Sequence, residues 1–315
     1  MFCSEEEIER LIRVSRLYYD DGLTQNEIAK TMNVSRPLIS KMLSRARDLG
    51  IVTITIKSPL QNNDLVASKL AAAYGLSGAF VVPEARADYM TEQLILNQVS
   101  SIVLEKLQEA DLVGLGWGFL MDSFVKQLPE FKKSRRAGKK GLVCPLIGGG
   151  AVPNRGYNPN EIVNLFCEKT GMEAKYLFAP AFPLTAADRD HFMGTQNYRE
   201  IAELWSGLDL AVIRISNYPS TPDHATATRF GKKLTQKRAV GALLSYFFDE
   251  NGLFISGDND FCISIPLQDL KRASCVVGIC SSNSSVASIT GALRTGMFTH
   301  VVLDETKALK VIASV

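Results

Sequence analysis

Between Gly22 and Lys57, apolar residues recur at helical spacing in two short runs separated by a turn. Ile28, Ala29 and Met32 fall on one side of a first helix. Leu38, Ile39, Met42, Leu43, Ala46 and Leu49 fall on one side of a second. Thr24 is placed to cap the first helix, and Glu27 completes a capping box. Asn33 falls in the turn, which wants a residue tolerant of positive φ, and Val34 can bury beneath it. Ser35 caps the second helix, Pro37 sits in its first turn where a missing N–H costs nothing, and Gly50 stops it. A short strand then runs up to Lys57. Upstream, an opening helix is predicted over 5–20, capped by Ser4 with Glu7, with Ile8, Leu11, Ile12, Ser15 and Tyr18 facing the helical pair.

The polar stretch SPLQNND at 58–64 marks a boundary, giving domains over 1–57 and 65–315. Beyond it, apolar strand-like runs alternate with helical segments. Strands are predicted at 79–83, 111–118, 142–150, 176–182, 208–216, 275–280 and 299–305. Helices are predicted at 90–110, from 119 to about 128, and at 161–170 and 284–294. The alternation implies an α/β fold, doubly wound about a largely parallel sheet. Ligands of such sheets bind outside the carboxyl ends of the strands. The loops that converge there are 116–118, with Gly116, Trp117 and Gly118; 148–150, with Gly148, Gly149 and Gly150; 179–181, with Pro180; 214–217, with Arg214, Ser216 and Asn217; and 281–285, with Ser281, Ser282, Asn283, Ser284 and Ser285. Trp117 reads equally as a stacking surface for a sugar ring or as core packing.

Composition narrows the classes. The chain has 315 residues, 46% hydrophobic and 22% charged, with a net charge of +2, which describes an ordinary globular protein with room for one small and one large domain. The acidic start MFCSEEEIER is unlike a signal peptide, and no apolar run is long enough to span a membrane, so a cytoplasmic location is expected. The six cysteines show no paired CxxC spacing and read as reduced core thiols. The three histidines lie in separate segments and give no metal site or nucleophile system. No phosphate-binding glycine fingerprint appears, and no cofactor is expected.

The charge that matters is local. Over residues 28–57, Lys30, Arg36, Lys41, Arg45, Arg47 and Lys57 stand against Asp48 alone. Arg36, Ser40, Lys41 and Arg45 fall largely off the apolar face, and supply donors suited to phosphates and guanine edges. Ser35, Arg36, Pro37, Ser40 and Lys41 are expected at the major groove, with Thr24 and Gln25 gripping the backbone. The plain alternative is a helical hairpin with a solvated basic face. Capping, turn, charge asymmetry and the following strand agree on double-stranded DNA. The basic run KKSRRAGKK at 132–140 reads as a solvated loop or a second nucleic-acid contact.

The segments YYDDGLTQNEIAKTMNVSRPLISKMLSRARDLGIVTITI, GWG, GGG, APAF, AVGALLSYFFDENG and ALRTGMFTHVVLDE follow one another in the order seen in SorC-type regulators. The chain resembles that family of bacterial sugar-responsive transcription factors over essentially its whole length. The resemblance implies a helix-turn-helix domain followed by an effector domain of the sugar-phosphate isomerase type. It also implies a homo-oligomer, dimer or tetramer, and a sugar or sugar-phosphate effector; two-fold pairing of the N-terminal domains would give a roughly palindromic operator.

This chain departs from the family pattern at the pocket. It has Arg214-Ile215-Ser216 where members have G-I-G, and Gly241-Ala242 where they have G-D. It has Cys280-Ser281-Ser282-Asn283-Ser284-Ser285 where they have A-G-G-x-x-K, and it offers Phe119, Leu120 and Met121 in place of a threonine. Two ligand chemistries stay open. Helix-start amides and serine hydroxyls, with Arg214 restoring charge, suit an anion. The same hydroxyl-rich loop suits a neutral sugar or polyol, and a pocket kept only for oligomer structure is the third reading. Asp249, in FDENG, is the nearest obvious carboxylate for binding or for isomerase-like catalysis, and reads equally as a turn residue.

Overall fold

The computed structural model describes residues 5–52, 63–131, 141–150, 155–219, 228–258 and 260–315. The chain divides into two compact units, Met1–Leu60 and Gln61–Val315.

The first unit is built from α1 (Glu5–Tyr19), α2 (Gln25–Thr31) and α3 (Arg36–Asp48). Val14, Ile28, Ala29, Ile39 and Leu43 form its core, with Leu17, Tyr18, Leu23, Met32, Val34 and Met42 packed against them. The inward face of α1 is Leu11, Val14 and Ser15, whereas Ile8 and Ile12 are exposed, which corrects the predicted face. Ile12 lies about 100° round the helix from Leu11, off the buried stripe. Leu38 and Leu49 are likewise exposed, each roughly a quarter turn from the line of Ile39, Leu43 and Ala46. Asn33 adopts φ 53 in the turn, as its position requires. Ser4 and the strand expected up to Lys57 lie outside the described residues, as do 58–62 of the polar linker. Asn63 and Asp64, read as the end of that linker, instead open helix α4 (Asn63–Tyr74), which buries Val66 and Leu70.

The second unit is a three-layer α/β structure. Its strands are β1 (Gly78–Val82), β2 (Leu112–Leu115), β3 (Leu142–Pro145), β4 (Glu173–Ala174), β5 (Leu210–Asn217), β6 (Ala239–Leu243), β7 (Tyr246–Asp249), β8 (Phe254–Ile255), β9 (Cys275–Cys280) and β10 (His300–Asp304). The main path runs β1-β10-β9-β5-β2-β3-β4, and every pair along it is parallel. β6, β7 and β8 form an antiparallel extension from the end of β5. One face carries α5 (Asp88–Lys106), α6 (Phe119–Gln127) and α7 (Pro159–Thr170) over a core that includes Val99, Phe124, Phe166, Val113 and Val212. The other carries α4, α9 (Gln196–Trp205), α11 (Leu267–Arg272), α12 (Val286–Arg294) and α13 (Glu305–Ile312). The second unit also holds α8 (Ala186–Met193) and the short α10 (Lys233–Gln236). Along β5 the two-residue period divides the cores: Leu210 and Val212 face one, Ala211, Ile213 and Ile215 the other.

The run YLFAPAF at 176–182 is not a strand. Asn160 bonds both the N–H and the C=O of Leu177, and Asn197 bonds the Phe178 N–H and the Tyr176 C=O. With side chains holding these backbone groups, the ladder at this edge stops at two-residue β4.

Candidate functional site

Two surfaces carry candidate chemistry, one in each unit. In the first, the Thr24 side chain accepts from the Glu27 N–H at 3.3 Å, and Glu27 Oε2 accepts from the Thr24 N–H at 2.8 Å. The capping box is therefore complete. The Thr24 hydroxyl and N–H both favour the charged form, and hold the Glu27 carboxyl below its ordinary value. Ser35 stands at the N-cap of α3 but makes no side-chain capping bond. Ser35, Arg36, Pro37, Ser40 and Lys41 are all exposed. Thr24, Gln25 and Arg36 line one depression of about 530 Å³, so the start of α2 and the start of α3 open on the same groove. Arg45 stands apart: its Nη1 lies 3.0 Å from Glu7 Oε1, tying α3 to α1. The expected DNA contact from Arg45 therefore competes with a contact inside the unit.

In the second unit, a cavity of about 460 Å³ opens at the carboxyl ends of β5 and β9, where the sheet order makes α6 and α12 diverge. Arg214, Ser216 and Asn217 reach it from β5, and Ser281, Asn283 and Ser284 from the loop after β9. Phe119, Leu120 and Ser123 of α6 and Glu92 of α5 close its walls. Arg214 continues the face of β5 that carries Leu210 and Val212, which turns its side chain toward α6. Gly118, at φ 97, begins that helix; a Cβ there would sit 3.4 Å from Arg214 Nη1. Burial pulls the Arg214 guanidinium below its ordinary pKa, and the Tyr157 hydroxyl opposes the shift. Among the described residues no carboxylate pairs with it.

The serine loop is closed on itself. Ser281 N–H donates to Ser284 Oγ at 2.9 Å, and Ser284 N–H to the Ser281 carbonyl at 2.9 Å. Ser285 caps α12 through the Ser288 N–H. Asn217 Oδ1 accepts from Ser285 N–H and Ser288 Oγ, both at 2.8 Å, and its amide donates to the Asn283 carbonyl. Glu92 Oε2 accepts from Ser281 Oγ at 2.8 Å and from Ser282 N–H at 2.7 Å.

The other predicted effector residues lie apart from this cavity. Trp117 is buried, with its ring 5.0 Å from Tyr157 and 5.7 Å from Phe182, so of its two readings the structure gives core packing. Gly148 approaches the backbone of Ala179 and Pro180 so closely that a Cβ would sit 2.6 Å from it. Gly149 bridges Pro180, and Gly150 packs against Trp117. Gly116 donates its N–H to the Val212 carbonyl, joining β2 to β5. Asp249 Oδ1 accepts from Asn251 and Leu253 N–H at 2.9 Å, so it is a turn residue and does not line the cavity. Asn217 belongs to the predicted loop 214–217, whereas nothing in the sequence marks Glu92 or Ser123 as cavity residues. Glu92 meets its loop about 190 residues later in the chain, and no local motif announces that. Burial pushes the Cys144 and Cys262 thiols up to about 12. Among the described residues no group of His, Cys, Asp or Glu is placed to hold a metal ion, and no helix is long and apolar enough to cross a membrane. The basic run at 132–140 lies outside the described residues.

Residues 58–313 match the model of a family described as "Putative sugar-binding domain". The chain belongs to this family. The sorbitol operon regulator of Klebsiella pneumoniae is 28% identical over 303 residues, covering 92% of this chain and 93% of that protein. The deoxyribonucleoside regulator of Bacillus subtilis (strain 168) is 29% identical over 301 residues, covering 93% of each. The crystal structure of the full-length sorbitol operon regulator SorC from Klebsiella pneumoniae is similar with a TM-score of 0.74 at 25% identity, covering 99% of this chain and 100% of that one. These matches extend through both units, and the resemblance to SorC-type transcriptional regulators read from the motifs holds for the chain as a whole.

Proposed function

We propose that the first unit binds operator DNA and that the second binds a small sugar-like molecule that modulates that binding. The observation that carries the reading is the joint exposure of Arg36, Ser40 and Lys41 on α3 beside the capped start of α2, with Thr24, Gln25 and Arg36 on one groove. A helix N-terminus that presents Ser, Arg and Lys to a duplex can read base edges, while the capped helix beside it donates to phosphates. Paired copies of the chain would place two such helices on a roughly palindromic operator, and a cytoplasmic homo-oligomer fits that use. The cavity belongs to a binding protein rather than a catalyst. Isomerisation needs an acid and a base at the substrate, whereas Glu92, the one carboxylate on the described cavity wall, is hydrogen-bonded to Ser281 and Ser282.

The test is a titration of the full chain with DNA from its own promoter region across a range of salt. Affinity that falls steeply with rising salt, and exceeds that for scrambled DNA, supports the reading. Equal affinity for both sequences at every salt concentration rejects it.

A further inference from the structure

The loop from Ser281 to Ser285 leads into α12, a helix of nine residues, and backbone amides at such a start ordinarily receive an anion. In this chain most donors of the loop itself are already engaged. Ser281, Ser284 and Ser285 N–H groups go to oxygens of Ser284, Ser281 and Asn217. Ser282 N–H and Ser281 Oγ converge on a single oxygen of Glu92, from a helix on another part of the fold. Both Glu92 and the cation Arg214 line the same cavity.

We propose that Glu92 is a specificity-determining residue whose carboxylate occupies the anion position of the serine loop, so that the cavity selects an uncharged polyhydroxyl compound and rejects its phosphate ester. The proposal rests on the sugar-binding reading above and names the ligand class for that same cavity. A phosphate would have to evict Glu92 and break two charge-assisted hydrogen bonds, or share the loop with a like charge. A neutral polyol meets neither obstacle. Its hydroxyls donate to the carboxylate's remaining lone pairs and accept from Arg214, so the two charges of the wall are each used. Phe119, exposed at the cavity wall, offers an apolar face to the carbon skeleton.

Inorganic phosphate is the probe, followed by calorimetry and thermal melting on the full chain, with chloride at matched ionic strength as the control. Wild type is expected to show no phosphate-specific stabilisation. Glu92→Ala, which vacates the loop, should bind phosphate at least about tenfold more tightly. Glu92→Gln keeps the shape and removes the charge, and should fall between the two. Wild type that binds phosphate as tightly as Glu92→Ala overturns the proposal. So do folded variants, judged by circular dichroism, that gain no phosphate affinity. Salt-dependent DNA binding measured on the same proteins reports on the regulator reading separately, because loss of DNA binding leaves the phosphate comparison intact.

Discussion

Thr24 and Glu27 hold one another through reciprocal bonds, and the start of α2 depends on both. Thr24→Ala should lower stability by about 1 kcal/mol, as loss of an N-cap usually does. Its pH dependence carries more information. The folded pKa of Glu27 lies below the ordinary 4.5, so its contribution is present above that value and is lost as pH falls through the lower folded value. Thermal melts of wild type and Thr24→Ala should therefore differ most at neutral pH and converge in acid. A constant difference at every pH would detach Glu27 from the cap. The DNA face divides by chemistry in the same way. Gln25→Ala should weaken binding to all sequences alike, as expected of a backbone contact. Arg36→Ala should instead relax sequence preference, costing about 1–3 kcal/mol at one base position. Identical effects from the two substitutions would contradict the groove assignment. Arg45→Ala should act mainly on stability, by a small amount, since its pair with Glu7 is partly exposed.

At the scale of elements, the glycine run after β3 acts through packing. Gly148 sits where a Cβ would come within 2.6 Å of the Ala179 carbonyl, a backbone atom that cannot rotate away. Gly148→Ala should cost about 1–3 kcal/mol, read as a lower melting temperature, whereas the open site of Gly207 should accept alanine with little change. Equal melting of both variants would show that the 179–181 segment yields. The same segment shows where sequence pattern stops being informative. β1, β2, β3, β5, β9 and β10 were legible because strands buried on both faces read as unbroken apolar runs. The run at 176–182 has that composition, yet Asn160 and Asn197 hold its backbone groups, and neither asparagine is near it in sequence. α4 was missed because its polar opening, Asn63 and Asp64, continues a polar linker. The capping box, the turn at Asn33 and the pocket serines were legible because each depends on neighbours within a few residues. Glu92 was not, since its role exists only once α5 crosses beside a loop from the far end of the chain.

For the molecule as a whole, the two units share one chain, but a small ligand can alter DNA binding only by favouring one arrangement of that chain or its copies over another. A ligand that binds both arrangements equally shifts nothing, however tightly it binds. Such coupling is reciprocal: if effector changes operator affinity by some factor, operator must change effector affinity by the same factor. Couplings of this kind are typically worth about 1–3 kcal/mol, roughly 5- to 150-fold. The prediction uses D-sorbitol and related neutral polyols as probes of the full chain. A polyol that stabilises the protein should change operator Kd, and calorimetric titration of that polyol with and without operator should give the same factor in the same direction. Two-fold pairing adds a geometric condition, because halving the operator should then remove most of the affinity and the polyol effect together. A polyol effect that survives undiminished on a single half-site would place the coupling inside one chain rather than between copies. Unequal factors on the intact operator would mean that the polyol acts elsewhere than through the equilibrium that joins cavity to DNA.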